Sequence, residues 1–141
     1  MKSLLTLVVL LASCGGSATA PSTPAPPVVN SPQTQVANID KTLADAINAS
    51  VKTAIALRDQ VTVSQANVTV IESWATSAAT LDDQIATELG SADPWATQKT
   101  KILLLLPGLH VPATGGVSAT LQVSLAAVET LIAQIQAQVI Q

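Results

Sequence analysis

Apolar side chains that recur at threes and fours mark one face of an α-helix, and this chain carries that period from Val36 almost to its last residue. Val36, Ile39, Leu43, Ile47, Val51 and Ala54 form the first stripe, which Ile55 and Leu57 continue, and they predict a helix from Thr34 to Gln60. The segment VTVS then breaks the pattern, and Ser64 can cap a second helix by offering its hydroxyl to free backbone amides. Val70, Trp74, Ala78, Leu81, Ile85 and Leu89 share the next face, with Gly90 placed to end the helix in a left-handed conformation. In SADPW, Asp93 reads as an N-cap and Pro94 as the first helical residue, where a missing amide hydrogen costs nothing. That predicts a third helix, Pro94 to Leu106, ended by Pro107-Gly108. Ser118 opens a fourth, whose stripe is Leu121, Leu125, Val128, Ile132, Ile135 and Val139.

Four amphipathic helices with short connections predict an all-α fold, a small antiparallel bundle over residues 34–141. Two places compete with that reading. VTVSQANVTV is β-branched and partly alternating, but its surroundings are rich in Ala and Gln and lack tight Asn-Gly turns. The run Ile102 to Leu106 is far too short to span a membrane, so it is expected at the centre of the bundle, apolar on every side.

Ahead of the periodic region, GGSATAPSTPAPPVVNSP contains Pro21, Pro24, Pro26, Pro27 and Pro32 and no charge. Proline favours extended polyproline II, and no core can be built from such a segment, so residues 14–33 are expected to form a disordered, semi-rigid stalk. The whole chain has 141 residues, and once leader and linker are set aside roughly 110 remain, enough for one modest core. Charged residues are only 11%, against roughly 25% in ordinary soluble domains, so the surface must be largely uncharged and polar. The net charge of −3, with scattered basic residues, excludes the concentrated basic patch that nucleic acid requires.

The start of the chain, MKSLLTLVVLLASCGG, follows the grammar of an export signal: a charged start, the apolar run Leu4 to Leu11, then small residues. Leu11-Ala12-Ser13-Cys14 resembles the lipobox of bacterial lipoproteins, a branched apolar residue and two small residues before a cysteine. The resemblance covers about the first sixteen residues. It implies a signal peptide over residues 1–13, cleavage between Ser13 and Cys14, a diacylglyceryl group on the Cys14 thiol and acylation, by palmitate for example, of the new amino terminus. Cys14 is the only cysteine, so an internal disulfide is impossible. Two or three acyl chains hold a protein stably on a bilayer, since each buried methylene contributes about 0.8 kcal/mol. In Gram-negative members of that family an Asp after the cysteine tends to retain the protein in the inner membrane. In a Gram-negative host, Gly15 would therefore imply the outer membrane, facing the periplasm.

Catalytic grammar is not found. His110 lies alone in a Pro-flanked loop, without the nucleophile and orienting group that catalysis needs. Asp82, Asp83 and Glu88 read as a solvated face, because adjacent residues on a helix do not face each other and no His or Cys complements them. No phosphate loop, cofactor or metal is expected, and Trp74 and Trp95 are the only large aromatics. The expectation is a non-enzymatic lipoprotein of the cell envelope whose bundle binds a protein partner or serves as structure. Its candidate contact residues are Trp95, Leu105 and His110 in the stretch from Trp95 through the leucine run. Two alternatives stand beside it: a phage or prophage lipoprotein acting in lysis or exclusion of reinfection, weakly similar to outer-membrane spanin subunits, and a small-ligand carrier.

Overall fold

The computed structural model describes residues 30–141. The expected signal segment, the expected Ser13–Cys14 cleavage site and the proline-rich residues up to 29 lie outside the described residues. The periodic region forms four α-helices, α1 (Pro32–Asp59), α2 (Gln65–Leu89), α3 (Trp95–Leu105) and α4 (Ala119–Ile140), with a 3-10 turn at Leu106–Leu109 directly after α3. There is no strand among the described residues, so VTVSQANVTV is a loop followed by helix.

The side chains that tie the ends together give the topology. Gln33, at the start of α1, donates from Nε2 to the carbonyl of Leu89 at the end of α2, 3.1 Å away, so these two helices run antiparallel. Near the start of α2, Asn67 Nδ2 donates to the carbonyl of Gly115 at 2.8 Å, which brings the beginning of α4 to the same end as the beginning of α2. α4 therefore returns antiparallel to α1. α1 packs along both α2 and α4, while short α3 and its 3-10 turn fill the space between α2 and α4. The indole of buried Trp74 pins that turn, donating from Nε1 to the carbonyl of Leu109 at 3.1 Å.

The helix starts follow the serines. Ser31, Ser64 and Ser118 each accept from the amide three residues on, Thr34, Asn67 and Leu121. α1 begins at Pro32 rather than Thr34, because Ser31 caps it and a proline fits the first helical position. Asp93 does not cap α3. Pro94 takes the cap position without a side-chain bond, and the Asp93 carboxylate turns to Lys101 instead.

The helix ends reverse one expectation. Gly90 keeps a right-handed conformation (φ −85°, ψ −6°), whereas Val61 adopts φ +60° just past α1. The amide of Val61 bonds the carbonyl of Arg58 at 2.8 Å and that of Thr62 bonds Leu57 at 3.0 Å, the paired pattern of a Schellman ending, with a β-branched residue where glycine is usual.

The core is one contiguous cluster fed by every helix. On α1 its positions are Val36, Asp40, Leu43, Ile47, Ser50 and Ala54, and on α4 Leu121, Leu125, Val128, Ile132, Ile135 and Val139. Steps that alternate between three and four make a seven-residue repeat, the spacing of left-handed bundles. The face of α2 is rotated from the expected one: Val68, Ile71, Trp74, Ala75, Ala78, Asp82 and Ile85 are buried, and Val70 is exposed. The leucine run is not apolar on every side either. Ile102 and Leu106 are buried, but Leu104 is 77% exposed, because α3 lies on the flank of the bundle and presents only one side to it. α4 is long and apolar enough to cross a membrane, with 22 residues and a mean hydropathy of 1.4 in its most apolar window. Its six core positions are packed inside the bundle.

Candidate functional site

Where α2 and α3 diverge, they leave a surface groove of about 300 Å³ lined by Gln84, Thr87, Glu88, Lys101, Leu104 and Leu105. The leucines supply an apolar wall, and at the rim one ammonium is shared by two carboxylates, which leaves a formal charge of −1 there. Lys101 Nζ donates to Glu88 Oε2 at 2.9 Å and to Asp93 Oδ2 at 2.8 Å, which links α2, the turn before α3 and α3 itself. The bonds to Asp93 and Glu88 hold the Lys101 ammonium above its ordinary titration range. These pairs are partly solvated, so they orient the wall more than they stabilise the fold.

Of the three contact residues expected from the sequence, Leu105 lines this groove. Trp95 is half-buried and packs against the core from the start of α3. His110 lies elsewhere: it is exposed, and its Nδ1 sits 2.7 Å from Glu129 Oε2 of α4. The other oxygen of Glu129 accepts from the amide of Val111 at 2.6 Å. This arrangement ties the loop after the 3-10 turn to α4.

A second constellation escaped the sequence reading. Asp82 does not sit on a solvated face; it is 9% exposed and meets Asp40 of α1, itself 6% exposed. Oδ1 of each residue is fully buried with no hydrogen-bond partner other than what the facing carboxyl provides. Burial, the negative charge of Asp82, a hydrogen bond with Asp82 and the charge of Asp83 together push the Asp40 carboxyl up from 3.8 to about 7. Burial also pushes Asp82 up; the hydrogen bond from Asp40 works against this and the charge of Asp83 works with it.

Further towards the same end of the bundle, Gln98 is 1% exposed and fully engaged. Its Nε2 donates to the Ser91 carbonyl at 3.0 Å and to Ser91 Oγ at 3.2 Å, while its Oε1 accepts from Gln33 Nε2 at 2.9 Å. Ser50 and Ser124 share a 2.9 Å hydrogen bond between α1 and α4. All these polar residues were missed for one reason: an apolar stripe read from sequence treats a polar residue as a gap. Asp40 falls between Val36 and Leu43, Ser50 between Ile47 and Ala54, and Asp82 between Ala78 and Ile85, each in step with the repeat. That regular spacing was the signal available.

Two other depressions, of about 420 and 170 Å³, lie between α1 and α2. Among the described residues no group of three or more His, Cys, Asp or Glu side chains is arranged to hold a metal ion. No protein-family model, curated protein or solved structure matches this chain.

Proposed function

We propose that the protein is a lipid-anchored lipoprotein of the cell envelope, in which Cys14 carries the acyl chains, the proline-rich segment is a tether and the helical bundle acts by binding rather than catalysis. The observation that carries this reading is the order of the first residues: a charged start, the apolar run Leu4 to Leu11, then Leu11-Ala12-Ser13-Cys14 and a long uncharged proline-rich stretch. A tether restricts the bundle to a small volume near the membrane and raises its effective concentration towards a fixed partner. The α2–α3 groove supports a binding role, since Leu104 and Leu105 offer apolar contact beside ion pairs already satisfied within the chain. With charged residues only 11% of the chain, long-range steering is weak and capture of a partner should depend little on salt.

Two measurements test the reading. Cys14→Ser should abolish acylation and release the protein from membranes, and mass spectrometry that finds an unmodified Cys14 in membrane-bound wild type overturns the anchor. Crosslinking in intact cells should lose a specific captured protein in Leu104→Ser, Trp95→Ala and a shortened-tether chain. An unchanged set of captured proteins, with circular dichroism showing the bundle intact, overturns the binding role and leaves the anchor standing.

A further inference from the structure

We propose that the Asp40–Asp82 contact is a proton-operated latch between α1 and α2: one shared proton holds the two carboxyl groups together, and its loss as pH rises loosens this end of the bundle. The inference stands apart from the lipid anchor and rests on the packing of the two helices. Both side chains are more than nine-tenths buried, and each has an Oδ1 that no donor from elsewhere in the chain reaches. Two ionised carboxylates in that position would be like charges in contact, each largely stripped of water, whereas a single proton converts one of them into a donor for the other.

No neighbouring charge can replace the proton. On α1 the adjacent Lys41 and Asp45 are exposed, and no cation offsets the charge felt by either carboxyl. On α2, Asp83 is exposed and adds further negative charge. Lys101 of α3 is committed to Glu88 and Asp93, and half-buried Lys99 contributes nothing at the pair. The only ionisable side chain of α4, Glu129, is paired with His110, and the 3-10 turn has none.

Solvent has a route to the pair. The depression of about 170 Å³ lined by Ala44, Ile47, Asn48, Ala79, Asp82 and Asp83 opens beside it, so the proton can exchange without unfolding. The location matters as well. Asp40 lies two helical turns from Gln33, whose bonds to Leu89 and Gln98 close this end of the bundle, and in the sequence the proline-rich segment directly precedes α1. Loosening the latch would free the part of α1 nearest the tether.

The sign of the pH dependence follows from the two states. An unfolded chain releases the Asp40 proton near 3.8, while the folded chain holds it to about 7. Stability from the shared proton is therefore complete below 3.8, declines as pH rises to about 7 and is level above that. Within the window the unfolding equilibrium constant should rise by up to ~10-fold per pH unit.

Urea unfolding of the full chain across this range, compared with Asp40→Asn and Asp82→Asn, tests the latch. Wild type should lose stability through the window relative to both variants, because an asparagine amide donates permanently to the remaining carboxylate. Parallel pH profiles for all three chains overturn the proposal. Should a variant fail to fold, infrared spectroscopy of wild type decides: one protonated carboxyl persisting well above the usual carboxylate range supports the latch, and its absence overturns it.

Discussion

Gln98 shows what a buried polar side chain requires. It lies at a core position of α3, and both ends of its amide are used: two bonds to Ser91 and one from Gln33. Removing it strands the Ser91 carbonyl and one Gln33 donor in a place water reaches poorly, and an unsatisfied buried group costs about 1–3 kcal/mol. Gln98→Ala should therefore lower the unfolding free energy by roughly that amount. The exposed Thr97→Ala, one position away, should change it by less than about 0.5 kcal/mol. Equal effects for the two, measured by urea titration, would mean the Gln98 network does not bear on stability.

At the scale of elements, the connection between α1 and α2 is the most informative. It contains a strained ending and a well-formed beginning within residues 60–64. Val61 sits at φ +60° with 91% of its surface exposed, so the left-handed conformation is not compensated by burial of its side chain. Val61→Gly should relieve that strain and stabilise the bundle by up to about 1 kcal/mol, the greater freedom of glycine in the unfolded chain taking back part of the gain. Ser64→Ala acts in the opposite direction, because the amide of Asn67 loses the hydroxyl it bonds at 3.2 Å, and should cost about 1 kcal/mol. Thermal unfolding of the two single variants and the double variant tests both signs. A Val61→Gly chain that melts below wild type would contradict the strain argument.

For the whole molecule, one core cluster touched by every helix implies one cooperative transition. Far-ultraviolet circular dichroism reports the helices, and tryptophan fluorescence reports the contact of Trp74 with the 3-10 turn together with the packing of Trp95 on the core, so the two unfolding curves should coincide. Separate midpoints would mean that α3 and its turn detach before the long helices do. Ile132→Ala, at a fully buried position of α4, should cost about 2–5 kcal/mol, a large share of the roughly 5–15 kcal/mol that holds a domain of this size.

Much of this architecture is legible in the order of residues. The all-helical class, the number of long segments, the cap at Ser64 and every buried position of α4 follow from period and capping chemistry, because those are local properties of the chain. What the sequence could not decide is which side of each stripe meets which neighbour. The core face of α2 is rotated away from Val70 because Asp82 is a core residue, and that becomes visible only when Asp40 stands opposite it. Leu104 is left in the open because α3 covers the flank of the bundle, a consequence of where α2 and α4 leave space rather than of the leucines themselves. Gly90 had the freedom to end its helix left-handed and did not use it, while Val61 was driven there by the turn into α2. Local preference amounts to about 1 kcal/mol at a position, and packing many side chains into one core exceeds it, so tertiary structure alone set the buried carboxyl pair, the groove and the strained turn.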